Sequence, residues 1–253
     1  MFWSKDKHPK PEKPKETPME FLSSTSAVLV VGLFIITFII QAFEIPSSSM
    51  VKTLLIGDHL FVDRVVLAPK ANWAPFVPYR APRHGDIFVF LKPTEPGLHL
   101  VKRVIGLPGD RIHLKDGILY RNGEKVDEPY VVRNGSYDEY RDNFPNAPAS
   151  LSPVPLDPEW RFLLNTYVHD GDLVIPPGYY FGMGDNRDVS LDSRYWGFVP
   201  RENIEGTPLL IYFSVREPSA TDTPPLQGGR LGNSVGDRLV DFARWDRILR
   251  IVH

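Results

Sequence analysis

The feature that most constrains this chain is a run of 23 residues without a charged side chain, from Phe21 to Phe43, bounded by Glu20 and Glu44. As an α-helix, such a run is about 35 Å long, because each residue adds ~1.5 Å. The hydrocarbon core of a bilayer is about 30 Å thick. The sequence therefore predicts one transmembrane helix over residues 21–43.

Two other interpretations of this run are weaker. A core helix of a soluble protein usually presents one polar face, whereas this run is apolar on every face. A cleaved secretory signal has a shorter apolar stretch, of about 7–15 residues, that ends in small residues at the cut site. Here the run ends in Gln41-Ala42-Phe43, which matches that pattern poorly. A permanent membrane anchor is the favoured interpretation.

Positive charges around the run predict its direction. Within ~15 residues after the run, the only basic residue is Lys52. In membrane proteins, the flank that lies in the cytoplasm carries the excess of lysine and arginine. The basic residues before the run are five lysines: Lys5, Lys7, Lys10, Lys13 and Lys15. We therefore expect a single-pass protein with a cytoplasmic tail at residues 1–20. Everything from residue 44 onward is expected on the far side of the membrane.

Composition excludes several classes of function. The 29 basic and 31 acidic residues nearly balance, which argues against nucleic acid as a partner because duplex-binding proteins carry a basic excess. The chain has no cysteine, so disulfides, thiolate metal sites and cysteine nucleophiles are excluded. A hydrophobic content of 42% is sufficient for a packed core.

Residues 44–216 have the pattern of a mainly β domain with antiparallel sheet. Asp116-Gly117 and Asn122-Gly123 each separate short apolar runs, and both pairs favour the tight turns of β-hairpins. They predict a three-strand meander over residues 111–126. Further strands are predicted at residues 60–65, 87–91, 100–105, 173–175, 179–183 and 209–215.

Two other parts of the chain differ from this pattern. Residues 129–178 are rich in proline and aromatic residues without periodicity, and we interpret them as an insertion ordered by its aromatic side chains. Residues 217–234 have a linker composition. Apolar residues at helical spacing then predict a C-terminal amphipathic helix over residues 235–253, packed either on the domain or on the membrane. The apolar positions are Val235, Leu239, Phe242, Trp245, Leu249 and Val252.

Three serine motifs compete as a nucleophile. The G-x-S-x-G motif around Ser234 follows a linker, whereas that motif requires a strand-to-helix turn. Ser49 and Lys52 form an S-x-x-K motif, but the S-D-N and K-T-G elements that accompany it in penicillin-binding enzymes are absent from the sequence. The third motif is the cluster Ser47-Ser48-Ser49, which directly follows the predicted anchor.

Lys102 supplies a base that suits the serine cluster. It lies within the apolar strand Leu100–Ile105, on the face opposite Val101 and Arg103. A lysine in such a strand usually extends to water. If its amine is buried instead, desolvation lowers its pKa, and a neutral amine can take a proton from a serine hydroxyl. Serine–lysine pairs are a known variant of the catalytic triad.

Five segments together resemble the type I signal peptidases, which are membrane-bound serine proteases. They occur in the family's order and cover roughly residues 43–128 and 172–215. The segments are Ile45-Pro46-Ser47-Ser48-Ser49-Met50, then residues 53–58 and 84–90, then Val101 to Asp110, and finally residues 184–200, which begin Gly184-Asp185-Asn186-Arg187.

The resemblance implies a role for each matching residue. Ser49 corresponds to the nucleophile and Lys102 to the general base. Ser47 corresponds to a hydroxyl of the oxyanion hole, and Ser190 to a residue that orients the lysine amine. The residues that match the walls of the substrate pocket are Phe43, Ile45, Met50 and Val101. The charged residues that match ion pairs near the site are Asp185, Arg187, Asp192 and Arg194.

The resemblance also implies a reaction. The chain is expected to remove N-terminal signal peptides from exported preproteins, at a bacterial plasma membrane, without a metal or cofactor. Its expected partners are signal peptides and the lipid bilayer. Two departures from the family pattern are Ser48, where glycine is frequent, and Val51-Lys52, where a proline is common.

Two other functions remain open at this point. One is a self-cleaving regulator with a Ser–Lys pair, which the membrane span argues against. The other is a non-enzymatic membrane-anchored binding or assembly protein, which the presence of Ser49, Lys102 and Ser190 argues against. Cleavage of a preprotein by the purified protein, with Ser49→Ala as the control, distinguishes them.

Overall fold

A capped helix begins the structure, a computed structural model that describes residues 17–68, 79–216 and 243–252. Helix α1 spans Pro18–Phe34, and a π-helical segment, Ile35–Ile39, continues it. The Thr17 hydroxyl accepts a hydrogen bond from the backbone N–H of Glu20, and the Glu20 carboxylate accepts one from that of Thr17. Within the described ranges, this 22-residue helix alone is long and apolar enough to cross a membrane.

The predicted span of residues 21–43 is wrong at its C-terminal end. The helix stops at Ile39, and strand β1, Ile40–Glu44, follows without a loop. Strand β1 pairs with β2, Asp58–Asp63, from Ile40 opposite Asp63 to Glu44 opposite His59. Hydropathy cannot detect this boundary, because apolar residues continue from the membrane segment into the sheet.

The chain forms two antiparallel sheets. The remaining strands of the larger sheet are β3 (Ile87–Leu91), β4 (His99–Gly106), β10 (Tyr179–Met183), β11 (Val199–Pro200), β12 (Ile204–Ser214) and β13 (Arg250–Ile251). Its order is β1-β2-β12-β3-β4-β10-β11, and β13 pairs with β12. The smaller sheet consists of β5 (Arg111–Lys115), β6 (Ile118–Arg121), β7 (Glu124–Lys125), β8 (Val168–His169) and β9 (Asp172–Val174). This agrees with the predicted mainly β, antiparallel fold.

The predicted meander is confirmed. Strands β5, β6 and β7 pair consecutively, and their two connections are the predicted dipeptides. Asp116 and Gly117 have φ values of 50° and 76°, and Asn122 and Gly123 have values of 54° and 83°. Both central positions of each turn therefore lie in the left-handed region, which these residue types tolerate best.

Aromatic side chains attach residues 129–178 to the larger sheet. Helices α2 (Glu139–Asp142) and α3 (Pro158–Tyr167) lie in this part of the chain. Phe144 stacks on Phe181 of β10 with ring centroids 5.6 Å apart. The Tyr140 hydroxyl and the Trp160 indole N–H both donate to the carbonyl of Arg194. These contacts hold the segment against the loop that follows β10.

The predicted C-terminal helix is wrong over the described residues. Residues 235–242 and the linker at 217–234 lie outside them, but the chain from Ala243 to Val252 forms a 3₁₀ turn and strand β13. Strand β13 occupies an edge of β12, and Arg247 forms a two-atom ion pair with the fully buried Asp58. The pairing of β13 with β12 and the ion pair of Arg247 with Asp58 therefore determine the structure of this segment, although its apolar residues have helical spacing.

Candidate active site

Three remote segments converge on one point. Ser49 lies in a 3₁₀ turn, Ser48–Met50, shortly after β1. Lys102 lies on β4. Ser190 lies in the loop between β10 and helix α4, Ser193–Trp196. The backbone N–H of Asn186, in that same loop, donates to the carbonyl of Ser49 at 3.0 Å and so joins the serine turn to the loop.

Ser49 and Lys102 form a direct buried pair. The Lys102 Nζ donates to the Ser49 Oγ at 2.8 Å. Lys102 is 3% exposed, and this burial lowers the pKa of its amine to about 8, although nearby Asp192 and Asp185 oppose the shift. At pH 7 about a tenth of the amine is therefore neutral, and this fraction can accept the serine proton.

The sheet explains why Lys102 is buried. Lys102 faces Phe88 across the β3–β4 pair. The expected alternation along β4 is observed, because Leu100 and Val104 pack in the core that contains Phe88, whereas Val101 packs against the core that contains Met50. Gly182 on β10 leaves room for the lysine stem, since a Cβ there would lie 2.8 Å from the Phe88 ring and 3.3 Å from the Cβ of Lys102. The aliphatic stem thus lies between an aromatic ring and bare backbone.

The two other predicted serines differ in their surroundings. Ser47 is exposed, and its Oγ lies 3.3 Å from the Ser49 Oγ. Ser190 is 2% exposed and touches Gly184, but its Oγ has no hydrogen-bond partner within the described residues. The structure therefore contains no hydrogen bond through which Ser190 orients the Lys102 amine.

A small apolar cavity of about 70 Å³ adjoins the serine. Its lining includes all four residues predicted for the pocket, namely Phe43, Ile45, Met50 and Val101. Ser47, Ser49 and Lys102 also reach it. A space of this size accepts a small side chain beside the serine hydroxyl and excludes large ones.

The four predicted charged residues are all fully buried, but only two of them pair with each other. Arg194 donates twice to Asp192, each time at 2.8 Å, and Asp192 in turn accepts from the N–H of Gly184. Burial raises the pKa of Asp192, yet the adjacent Arg194 outweighs it and holds the pKa below its ordinary value. The carboxylate therefore stays ionised and fixes Gly184 beside the dyad.

Asp185 and Arg187 use partners that the sequence analysis did not identify. Asp185 accepts two hydrogen bonds from Arg103, at 2.7 and 2.8 Å, and Arg187 forms a two-atom pair with Glu128. Tyr130 covers Arg103 at 4.0 Å and donates to Glu128. The sequence marks Arg103 only as the neighbour of Lys102, and no local signal marks Glu128 as the partner of Arg187.

Asn186 also contributes to the site, and the sequence did not predict its role. Besides its backbone bond to Ser49, its side-chain amide donates to the carbonyl of Ser48 at 3.2 Å. It lies in residues 184–200, and the resemblance of this segment to the signal peptidases was the only feature of the sequence that pointed to it. These two bonds fix the backbone on which the candidate nucleophile lies.

Loss of the Glu128 charge is expected to destabilise the protein, because Arg187 is then a buried cation without a counterion. Glu128→Gln should lower the free energy of unfolding by about 3 kcal/mol, the usual cost of removing one partner from a buried pair. Urea titration of the full-length protein in detergent measures this. Glu124→Gln removes the same charge from the exposed strand β7 and is the matched control. Equal stability of the two variants would contradict the prediction.

The pairing of Ser49 with Lys52, the alternative base, is not formed among the described residues. Lys52 is exposed, and its amine makes no hydrogen bond to Ser49 within the described residues. The motif around Ser234 lies outside the described residues. Across residues 17–68, 79–216 and 243–252, no group of three histidine or acidic side chains is arranged to hold a metal ion.

A serine hydroxyl bonded to a buried lysine amine, beside a small apolar pocket, defines the class of serine hydrolases that use lysine in place of histidine. Comparison with known protein families agrees. Residues 19–213 match the family described as "Signal peptidase, peptidase S26". The chain belongs to this family of peptidases.

Curated relatives carry the same description. The chain is 36% identical to "Signal peptidase I" of Aquifex aeolicus, over 77% of this chain and 84% of the relative. It is 34% identical to "Signal peptidase I" of Pseudomonas aeruginosa, over 84% of this chain and 79% of the relative. A crystal structure of a signal peptidase I from Enterococcus faecalis covers 51% of this chain and 97% of its own, with 34% identity and a TM-score of 0.37. Family membership follows from the sequence matches alone.

Proposed function

We propose that this protein is a membrane-anchored serine endopeptidase that removes N-terminal signal peptides from exported preproteins. The observation that carries the proposal is the 2.8 Å hydrogen bond between the Lys102 amine and the Ser49 hydroxyl, at the edge of a pocket of small volume. Family membership supports the substrate class, since the matched relatives are signal peptidases. The partners are signal peptides and the lipid bilayer, and nucleic acid has no part.

The proposed reaction uses Ser49 and Lys102 in turn. The neutral Lys102 amine takes the Ser49 proton as the serine oxygen attacks the carbonyl carbon before the cut. The Ser47 hydroxyl and the Ser49 backbone N–H then stabilise the developing oxyanion. Lys102 returns its proton to the departing amine, and a water activated by the same lysine hydrolyses the acyl-enzyme. Ser190, whose buried Oγ makes no hydrogen bond to Lys102 in the structure, orients the amine in this proposal by forming that bond when substrate is bound.

The pocket determines which peptide bonds are cut. Phe43, Ile45, Met50 and Val101 form the apolar walls of a small space that Glu44, His99 and Lys102 also line. Small side chains before the cleaved bond fit this space, and larger ones collide with it. The resemblance to the signal peptidases implies a small-x-small signature before the cut, and this space suits one of its two small side chains.

Cleavage should rise with pH through the pKa of Lys102. Only the neutral amine acts as the base, so the rate falls about tenfold for each pH unit below that pKa of about 8 and levels off above it. The measurement is kcat/KM for a purified preprotein from pH 6 to 10, with Ser49→Ala as the inactive control. A flat profile would exclude a titrating lysine, and no cleavage at any pH would refute the proposed function.

The proposed location is a bacterial plasma membrane, with the tail before α1 in the cytoplasm and the catalytic domain outside. The chain has no cysteine, so single introduced cysteines report topology without background. In intact spheroplasts, a membrane-impermeant maleimide should label Glu124→Cys, in the exposed strand β7, but not Lys10→Cys. Both should react after lysis. The reverse labelling pattern would reverse the orientation and remove the active site from its substrates.

A further inference from the structure

A cleft of about 540 Å³ lies where the membrane helix meets the catalytic domain. Thr37 and Phe38 line it from the end of the helix, and Arg64 lines it directly after β2. Glu202 and Glu205 line it near the start of β12. The backbone N–H of Arg64 donates to the carbonyl of Ile39 at 3.0 Å, which connects the helix end to the domain at this cleft.

The cleft lies at the level of lipid headgroups if the helix spans the bilayer, as the proposed function requires. The helix Pro18–Ile39 is about 33 Å long at ~1.5 Å per residue, slightly more than the ~30 Å hydrocarbon core. Thr37 and Phe38 lie in its last turn. Their side chains therefore lie at the boundary between acyl chains and headgroups on the outer face.

Most of the charged side chains that line the cleft have no ion-pair partner among the described residues. Among the described residues, neither the Arg64 guanidinium nor the Glu202 carboxylate forms a hydrogen bond or an ion pair. Glu205 Oε2 lies 2.9 Å from His99 Nε2, but this buried oxygen has no aligned hydrogen-bond donor. One cationic and two acidic side chains thus surround a space that lies beside the apolar end of the membrane helix.

We propose that this cleft binds the headgroup of a phospholipid that carries both a phosphate and an ammonium group. Arg64 holds the phosphate, because a guanidinium donates two parallel hydrogen bonds to phosphate oxygens. The ammonium lies beside Glu202 and Glu205, and Phe38 covers the start of the acyl chains. A headgroup with a net negative charge is disfavoured, because the two carboxylates repel it.

The proposed lipid site is connected to the substrate pocket by one side chain. His99 contacts Glu205 of the cleft and also lines the cavity beside Ser49. Its ring lies 5.2 Å from the ring of Phe43, which is a wall of that cavity. A headgroup bound in the cleft therefore contacts Glu205, and Glu205 in turn contacts His99 in the lining of the substrate pocket.

Native mass spectrometry of the full-length protein in detergent tests the site without relying on cleavage. The protein is titrated with phosphatidylethanolamine and, separately, with phosphatidylglycerol. We expect one tightly bound phosphatidylethanolamine, at least several-fold preferred over phosphatidylglycerol. Arg64→Gln should weaken its binding about tenfold, the scale of a lost charge-assisted hydrogen bond. Glu202→Gln should reduce the preference between the two lipids.

Matched controls remove the same charges elsewhere, at the exposed residues Arg83 and Glu159. Arg83→Gln and Glu159→Gln should bind lipid as the parent does. Equal affinity of the parent for both lipids, or equal affinity of Arg64→Gln and Arg83→Gln, would overturn the proposal. Full displacement of the lipid by millimolar inorganic phosphate would identify a free-anion site instead. Since no step of this assay requires catalysis, a protein that binds lipid but cleaves no preprotein would refute only the proposed function.

Discussion

Replacement of Lys102 by methionine is expected to reduce preprotein cleavage by roughly 10⁴–10⁶-fold, the range seen when one member of a nucleophile–base pair is removed. Methionine is similar in length to lysine and is apolar, so it fits the buried site beside Phe88 while offering no base for Ser49. The free energy of unfolding should stay the same or rise, because a buried amine is replaced by an apolar group. Single-turnover cleavage and urea unfolding of the same preparation measure both effects.

The double variant Ser49→Ala/Lys102→Met should be no less active than either single variant, since the two residues act as one unit. Lys52→Met removes an exposed lysine only three residues from Ser49 and is the matched control, expected to retain full activity. An active Lys102→Met protein together with an inactive Lys52→Met protein would transfer the role of base to Lys52.

A single methyl group at Gly184 should reduce kcat by about 100-fold, the scale associated with a displacement of about 1 Å in a catalytic group. A Cβ at this position would lie 2.3 Å from the Ser190 Oγ and 2.5 Å from the Ser49 carbonyl oxygen. Neither neighbour can withdraw, because Ser190 is buried and the Ser49 carbonyl accepts from Asn186. The expected result for Gly184→Ala is a low kcat with a small change in KM.

Gly32→Ala is the control for this substitution. Gly32 lies in helix α1, and a Cβ there meets no atom within 4 Å. The same chemical change should therefore leave kcat unaltered, and it should favour the helix, since alanine has the higher helix propensity. A Gly184→Ala protein with parental kcat would show that the serine turn can move without affecting catalysis.

Local features could be predicted from the patterns of the chain itself, whereas a contact between distant segments could be predicted only where the family resemblance supplied it, as for Ser49 and Lys102. The Asp-Gly and Asn-Gly turns determine their own φ angles, so the meander at β5–β7 was predicted with its connections. Strand alternation placed Lys102 on the correct face of β4. The partnership of Arg187 with Glu128 joins residues 59 positions apart, and nothing in either local pattern identifies the other.

The two errors in the prediction share one cause. Ile40 to Phe43 continue the apolar run of the membrane helix, and Ala243 to Val252 carry helical spacing, yet both segments are strands or turns. In each case an unpaired edge, that of β2 or that of β12 beyond its pairing with β3, supplies hydrogen-bond partners that the local pattern does not contain. The secondary structure of a segment beside a sheet therefore depends on which backbone N–H and C=O groups of that sheet are still unpaired.

The convergence of three remote segments has a consequence for biogenesis. In the proposed orientation, with the tail in the cytoplasm, Ser49 leaves the export machinery early, and Lys102, Ser190 and Arg194 follow in that order. Asn186 must be in place before the carbonyls of Ser48 and Ser49 are fixed. The newly made chain is thus inert as a protease until almost all of its catalytic domain has crossed the membrane. During that interval, its own apolar helix already lies in the membrane while the active site is still incomplete.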